Sequence, residues 1–487
     1  MCGVIGVFDN EEVVGKLYNA MLTIQHRGQD SAGMLTYDGR YHIKKGNGLI
    51  RDIFDERNIL RLRGHVGLGH TRYPTVGEGS VEDAQPFWIN YPFGMAAAHN
   101  GNVTNFADLK RELLEKNHIL TNSNCDVEAI LNIFANYLQG FRTRPITPEM
   151  IFNAVRYVYR RVKGSYSVVI HIANIGMVAF RDPFGLRPLL FGTQVEGMVP
   201  AYAFASESVS LHAMGFSQMR DVEPGSAIFV DRERHVHECQ ISRKPFRPCI
   251  FEYIYFARPD SYLNGINVYT SRVELGRSLG RKIRRLQLKV DVVVPVPDSA
   301  RAAAIEIANI LRVKYREGLV KNRYIGRTFI MPGDPVRQRS IRHKLNPITE
   351  VFRGKDILLV DDSIVRGNTS RSIIQMVRNA GARTVHFASY SAPLTHPCVY
   401  GIDMQTRNEF VAANSTPEQI AVKINADSVI YQDLDDMERA VRRQNPRIRH
   451  FCKACFTGNY PTGDISRHML DTIEAERDAQ HALIREG

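Results

Sequence analysis

Up to about Asp231 the chain alternates short apolar runs of β type with longer helical stretches. The runs occupy Cys2 to Phe8, Val66 to Tyr73, Gly94 to His99, Tyr166 to Ala173 and Ala227 to Val230. Between them lie the helical stretches Asn105 to Lys116, Asp126 to Gln139 and Pro148 to Val162. Strands clustered before and after a block of helices predict α+β layers. A polar, charged passage from Asp231 to Arg247 then reads as a join between domains. Beyond it the rhythm changes. Asp291 to Val296, Ile357 to Val360, Val385 to Ser389 and Ser428 to Tyr431 are apolar, β-branched runs separated by helical segments. Strands buried on both faces of a parallel sheet have that pattern, so the second half reads as an α/β nucleotide-type domain. Asp464 to Arg485 is a charged, helix-favouring tail that could cap the fold or an interface.

With 487 residues, 44% of them hydrophobic and 23% charged, the chain suits two to four globular domains rather than a disordered or fibrous protein. Its 63 Lys and Arg against 51 Asp and Glu leave a net charge of +12. That sign fits nucleic acid, a membrane surface or small anionic phosphate ligands without choosing among them. Seven cysteines are too sparse, and odd in number, for a disulfide scaffold, which favours a reducing cytoplasm. The first residues carry no basic region and reach acid by Asp9, so neither a secretory signal nor a transit peptide is expected. No run approaches the ~20 apolar residues of a membrane span.

Cys2 directly follows the initiator methionine. A small side chain there lets aminopeptidase remove Met1, and the chain then starts with a thiol and its own base. An α-amine has an ordinary pKa of ~7.7–8.0 against ~8.5 for a thiol, so near neutral pH it accepts the thiol proton without large tuning. Alone, a cysteine at position two usually has no such role. A thiolate attacking a carboxamide also needs donors aimed at the developing oxyanion. His99-Asn100-Gly101-Asn102, after a β-run, offers a side-chain amide and a flexible backbone N–H. Arg72 suits a carboxylate as a bidentate fork, and Asp126 could bind an ammonium. Each residue has an ordinary reading too: a turn for Asn100-Gly101, a surface ion pair for Arg72, a helix N-cap for Asp126.

Together these residues resemble the glutaminase domain of the class II, N-terminal-nucleophile (Ntn) glutamine amidotransferases. The resemblance rests on CGVIGVF from Cys2, QHRGQDSAG from Gln25, HTRY from His70, AHNGNVTN from Ala98, the Ser123 to Glu128 stretch and RDPFGLRPL from Arg181. It covers roughly the first 230 residues. It implies a four-layer α+β Ntn-hydrolase domain over residues 2–231 in which Cys2 forms a glutamyl thioester and releases ammonia. Asn100 and Gly101 would form the oxyanion hole, and Arg72 and Asp126 would hold glutamine.

In the second half, strand Ile357 to Val360 runs into Asp361-Asp362-Ser363-Ile364-Val365-Arg366-Gly367-Asn368-Thr369-Ser370, and Arg371 to Ala380 looks helical. A strand, a loop and a helix N-terminus present backbone N–H groups and hydroxyls to a phosphate, while two acids at the strand end suit a diol or Mg²⁺. The loop is not a Walker A sequence. It is similar to the phosphoribosyl diphosphate (PRPP) motif of type I phosphoribosyltransferases. That likeness implies an α/β domain with a parallel sheet over 261–445, after an inter-domain connection at 232–260. It assigns ribose and 5′-phosphate contacts to Asp361, Asp362, Ser363, Arg366, Gly367, Asn368, Thr369 and Ser370, and Mg²⁺ to Ser299, Asp361 and Asp362. Asn368 stands where related amidotransferases usually have Thr, which leaves a backbone contact but not a hydroxyl. The basic strip Arg323 to Asn346, with Arg339 and Lys344, is either exposed loop or a lid that closes over pyrophosphate. His343 replaces a usual basic residue there.

The two motif sets in this order resemble the glutamine PRPP amidotransferases across essentially the whole chain. That implies glutamine and PRPP as substrates, a dry passage for ammonia between the sites, homotetramers and feedback inhibition by purine nucleotides, with no nucleic acid or membrane partner. Cys452-Lys453-Ala454-Cys455 has ligand spacing that zinc, a cluster or neither could explain, with Cys249 and Cys398 as the plausible additions. One subclass of the family carries a structural [4Fe–4S] cluster on cysteines in these contexts, which favours such a cluster on Cys249, Cys398, Cys452 and Cys455. Residues 446–487 then form a C-terminal segment with the Cys-x-x-Cys pair and the helical tail. Cys125 and Cys239 read as packing residues. Two rivals remain at this point: a catalytically inactive PRPP-binding regulator, and a glutaminase joined to a sugar-phosphate isomerase. The intact Cys2 set speaks against the first, and the Asp361 to Ser370 loop against the second.

Overall fold

The computed structural model describes residues 1–73, 80–195, 199–322, 344–402, 404, 406–407 and 410–475. Thirteen strands build the first half: β1 (Gly3–Phe8), β2 (Ser31–Tyr37), β3 (Tyr41–Asn47), β4 (Val66–Arg72), β5 (Phe87–Ile89), β6 (Met95–Val103), β7 (Gly164–Ile172), β8 (Gly176–Arg181), β9 (Leu190–Gln194), β10 (Ala201–Ala205), β11 (Gln218–Asp221), β12 (Ser226–Asp231) and β13 (Val236–Gln240). They form a seven-stranded sheet in the order β11-β9-β10-β1-β4-β2-β3 and a six-stranded sheet in the order β13-β12-β8-β7-β6-β5. Successive side chains of a strand point to opposite faces, and here both faces are covered. Val4 and Phe8 of β1 meet Ala96, Ala98 and Val169 between the sheets. Ile5 and Val7 face outward onto the helix Val14–Thr23. On the far side, Met95 and Ala97 pack against the helices Asp126–Gln139 and Pro148–Arg161. Helix, sheet, sheet, helix is the four-layer arrangement expected, and it explains why the strands read as nearly continuous apolar runs.

The structure differs from expectation at the presumed join. Val236–Gln240 is a strand that pairs with β12 from Ser226↔Gln240 to Val230↔Val236. Its sequence, VHECQ, hides this because an edge strand needs little apolar surface.

Apart from two short ribbons, β14 (Tyr262–Leu263) with β15 (Ile266–Asn267) and β18 (Leu319–Lys321) with β19 (Leu345–Pro347), the second half is organised by one parallel sheet. Its order is β17 (Lys314–Tyr315), β16 (Val292–Pro295), β20 (Asp356–Asp361), β21 (Thr384–Ser389) and β22 (Ser428–Tyr431). Val292, Val294, Ile357 and Leu359 pack to one side with the helix Asn368–Asn379. Val293, Leu358 and Val360 pack to the other with the helices Val268–Arg285 and Arg301–Leu311. The tail begins as a helix at Arg467 and is described to Ala475. Among the described residues no helix is long and apolar enough to cross a membrane.

One hydrophobic cluster runs unbroken from Met1 and Leu17 through Tyr253 to Ala303 and Tyr390, so the two halves share a core. Buried charge crosses the same junction. Arg27 donates to Glu207 Oε1 at 2.5 Å and to Glu252 Oε1 at 2.8 Å. Glu207 Oε2 also accepts from Ser261 Oγ at 2.5 Å and from the Arg258 N–H at 3.0 Å. Burial alone would push the Glu207 carboxyl up, but His26, Arg27 and the Ser261 hydroxyl outweigh it and hold the group well below the usual carboxylate range. A carboxyl depressed in this way contributes stability above its unfolded pKa and loses it as pH falls through its folded one. Glu207→Gln is therefore expected to lower the unfolding midpoint at pH 7, with the gap to the parent protein narrowing as pH drops below about 4.5 in denaturant titrations.

Candidate functional site

The register of β1 on β4 pairs Gly3 with Thr71, which sets Cys2 beside Arg72 and Tyr73. The Cys2 thiol donates to the Tyr73 carbonyl at 3.7 Å. Asn100 comes from the other sheet. The expected strand ends at His99, but β6 continues to Val103, pairing Asn100 with Ser167 and Gly101 with Tyr166. Asn100 and Gly101 are therefore strand residues, not a turn. A Cβ on Gly101 would fall 2.0 Å from the Ser165 carbonyl, so only glycine lets β6 and β7 approach this closely.

Across the sandwich, the Cys2 nitrogen donates to Asn100 Oδ1 at 3.1 Å. This fixes the amide, and Asn100 Nδ2 is left buried with no hydrogen-bond partner among the described residues. An unsatisfied buried donor costs about 1–3 kcal/mol. An oxyanion formed near the thiol would satisfy it.

Arg72 and Asp126 are both buried in the same region. Asp126 is the first residue of its helix rather than the N-cap, which is Cys125. Its carboxylate accepts from the Val103 N–H at 2.8 Å and lies 3.2 Å from His99 Nε2. Burial raises its pKa, but His99, the Val103 bond and Arg72 more than offset this and hold it below the usual range, so it is ionised at neutral pH. Two contributors have no assigned role in the sequence reading. Asp83 lies 3.6 Å from Arg72 through Oδ2, which is buried without a hydrogen-bond partner among the described residues, and its Oδ1 accepts from the Asn124 N–H at 2.9 Å. Arg27 donates from Nε to the Cys2 carbonyl at 3.0 Å. No local pattern marks Asp83, whereas Arg27 lies within the QHRGQDSAG motif. Cys125 fits its packing role: burial first, then the charge of Asp126, pushes its thiol up, and it accepts from Gln85 Nε2 at 3.4 Å.

In the second half, β20 delivers Asp361 and Asp362 to the carboxyl end of the parallel sheet, where ligands of such folds bind. Ser299 Oγ, from the loop after β16, donates to Asp362 Oδ2 at 2.6 Å, and Ser363 Oγ donates to Oδ1 at 2.6 Å. Of the three residues expected at Mg²⁺, Ser299 and Asp362 are thus in contact, and Asp361 Oδ1 accepts from the Asp362 N–H at 2.9 Å. Burial, and for Asp361 also the charge of Asp362, pushes both carboxyls up. Gly367, at φ 81°, is the N-cap of a helix that starts at Asn368, three residues earlier than expected. Asn368 and Thr369 are exposed and Ser370 is buried. Their N–H groups occupy the first turn, where no earlier helical carbonyl is available to accept them. Arg366 is also exposed on this loop, and Lys344 lies just ahead of β19. Arg339, Arg337, Arg342 and His343 lie outside the described residues.

Cys249, Cys398, Cys452 and Cys455 are all buried. A single parallel β-bridge of backbone, not a disulfide, pairs Cys249 with Cys452 across about two hundred residues of sequence, with the Cys452 N–H donating to the Pro248 carbonyl at 2.9 Å. Thr395 and His396 donate to the Cys455 carbonyl at 3.0 and 3.1 Å, which brings in the segment of Cys398. Burial pushes the Cys249 thiol up to about 11, and Cys398 adds to it. The Cys455 thiol is raised by burial and further by Cys398, Cys249 and Cys452. The buried Arg187 guanidinium works in the opposite direction on Cys249 and Cys452. Among the described residues no three His, Cys, Asp or Glu side chains form a group that could hold a metal ion. The thiols do lie near enough that, after burial, Cys249 raises the pKa of Cys452 and both raise that of Cys455.

A glutamine amidotransferase domain family matches residues 70–213, and a phosphoribosyl transferase domain family matches residues 270–394. The chain is 46% identical over 484 residues to an amidophosphoribosyltransferase of Pasteurella multocida, covering 98% of this chain and 96% of that protein. An amidophosphoribosyltransferase of Saccharomyces cerevisiae is 42% identical over 492 residues, with 98% and 96% covered. The solved glutamine PRPP amidotransferase of B. subtilis, complexed with ADP and GMP, superposes with a TM-score of 0.84 at 35% identity over 96% of this chain and 98% of that one. A second structure, described as the allosteric regulatory enzyme of purine biosynthesis, gives 0.85 at 35% identity over 97% and 99%.

Gly101→Ala is expected to push β6 off β7 and cost about 2 kcal/mol. Differential scanning calorimetry should read this as a fall of a few degrees in the unfolding midpoint of the protein.

Proposed function

The chain belongs to the amidophosphoribosyltransferase family, and we propose that its two sites divide the family's reaction between Cys2 and the Asp361 to Ser370 loop. Glutamine, PRPP and water give 5-phosphoribosylamine, glutamate and pyrophosphate, the first committed step of purine synthesis. The observation that carries the division of labour is the Asn100 amide, which holds the Cys2 nitrogen with its oxygen and keeps a buried N–H unsatisfied.

Removal of Met1 turns the Cys2 nitrogen into an α-amine, already placed by Asn100, that takes the thiol proton. The thiolate attacks the glutamine carboxamide. Asn100 Nδ2 and the Gly101 N–H stabilise the oxyanion, the amine returns the proton to the leaving ammonia, and water then hydrolyses the thioester to glutamate. Arg72, steadied by Asp83, takes the glutamine carboxylate, and the ionised Asp126 takes its ammonium. At the other site the acids receive the ribose hydroxyls and the Gly367 to Ser370 helix start receives the 5′-phosphate, so that C1 faces incoming ammonia. Mg²⁺ at Ser299, Asp361 and Asp362 would offset charge on the departing pyrophosphate, with Arg339 and Lys344 supplying further cations. Ammonia is mostly protonated in neutral water, so it must cross a dry passage that PRPP completes.

The net positive charge suits these phosphate ligands, and ADP or GMP, the nucleotides held by the B. subtilis relative, are the kind of feedback inhibitor we assign to this chain. We further assign a homotetramer and a structural [4Fe–4S] cluster on Cys249, Cys398, Cys452 and Cys455. The support for the cluster is four buried cysteines on segments that the Cys249–Cys452 backbone bridge and the bonds to the Cys455 carbonyl draw together.

Cys2→Ala should abolish phosphoribosylamine formation from glutamine yet retain synthesis from added ammonium, read as pyrophosphate release. In the parent protein PRPP should raise glutamine hydrolysis; equal rates with and without it would contradict the coupling. Protein purified without oxygen should be brown and carry four iron atoms per chain, as the assigned cluster requires. Cys452→Ser should lose the colour and the iron together, whereas a colourless, iron-free parent would refute the cluster.

A further inference from the structure

Between the two sites runs a π-helical turn, Glu252–Phe256, that ends at Ala257. Its wide i→i+5 winding leaves carbonyls for other partners, and side chains of the second half take them, while the first half holds the Glu252 carboxylate. From the second half, Arg272 Nε donates to the Tyr253 carbonyl at 3.2 Å, and its Nη2 donates to the carbonyls of Tyr255 and Ala257 at 2.9 and 2.7 Å. The Tyr390 hydroxyl donates to the Ile254 carbonyl at 2.8 Å. From the first half, Glu252 accepts Arg27 at 2.8 and 3.2 Å, and Arg27 in turn donates to the Cys2 carbonyl.

Tyr390 has its other end at the acid pair. Its N–H donates to the Asp361 carbonyl at 3.1 Å, and the next N–H, of Ser391, donates to the Asp362 carbonyl at 3.0 Å. The tyrosine is fully buried, so its ring cannot move without moving what it touches. One side chain therefore spans from the backbone of the acids to the turn, and two more, Glu252 and Arg27, span from the turn to the nucleophile.

We propose that the Glu252–Ala257 turn reports PRPP occupancy to Cys2, with Tyr390 as the positioning residue that holds it. A π turn is one register step away from an α turn, which gives the segment two discrete arrangements. PRPP shifts the balance because the acids that bind it share backbone hydrogen bonds with Tyr390, so the loaded and unloaded loops place the hydroxyl differently under Ile254. Arg27 then carries the change to the Cys2 carbonyl, next to the nitrogen that Asn100 holds. Neither Tyr390 nor the turn touches glutamine or the reacting atoms in this scheme.

The inference rests on the reading that PRPP stimulates glutamine hydrolysis, and Tyr390→Phe separates the two. In that variant the ratio of PRPP-stimulated to basal hydrolysis should fall at least threefold. Basal hydrolysis and ammonium-driven synthesis should stay within twofold of the parent. Hydrogen exchange at amides 252–257 of the parent should slow when PRPP and Mg²⁺ are added. A parent protein without any stimulation would overturn the coupled reading and this inference together. A stimulated parent with an equally stimulated variant, a parallel loss of all three activities, or exchange at 252–257 indifferent to PRPP in a stimulated parent would overturn this inference alone.

Discussion

The hydrogen bond from the Cys2 nitrogen to Asn100 Oδ1 is the contact on which the glutaminase half depends. It joins residues 98 positions apart and ties the start of one sheet to the middle of a strand in the other. The sandwich must be fully packed for that distance to hold, because Val4 and Phe8 on one side and Ala96 and Ala98 on the other set how closely the sheets approach. Small residues on β6 bring Asn100 near the chain end; larger ones would hold it away. The same bond leaves the amide's N–H pair buried without a partner, a local cost that the surrounding core must offset.

Buried charge supplies the second constraint. Arg27, Arg187, Glu207 and Glu252 are almost fully removed from water, and ions in that setting survive only with good partners. Here the partners come from both halves of the chain. The network therefore favours one relative placement of the two sites over others, which a purely apolar junction would specify less sharply. Arg187 extends it to the cysteine segment, donating from Nε to the Tyr400 carbonyl at 2.8 Å. Ser165 Oγ donates to the same carbonyl at 2.9 Å, and Asn102 Nδ2 donates to the Val399 carbonyl at 3.0 Å. The segment after Cys398 thus braces β7 and the strand that carries Asn100 and Gly101.

Motif residues close to one another along the chain are legible in the sequence. Cys2, Asn100, Arg72 and Asp126 lie in short stretches whose residue types have few other combined uses, and the loop from Asp361 to Ser370 joins strand, acids and helix start in a single run. Boundaries are less legible. β6 outruns its apolar stretch because Asn100 finds a partner in the other sheet and Asn102 one in the second half, and β13 is a strand through backbone pairing that its polar side chains do not announce. Asp83 and Tyr390 carry no signal at all, since each matters only through a neighbour far along the chain.

The order of apolar runs, the glutaminase and PRPP motifs and the cysteine contexts were determined by the sequence alone, because each depends on residues within a few positions of one another. Tertiary structure decided how the two halves meet, which buried acids pair with which arginines, and which donor of Asn100 stays unsatisfied. Those outcomes depend on contacts across 98 to 225 residues, and distances of that kind exist only once the shared core has closed.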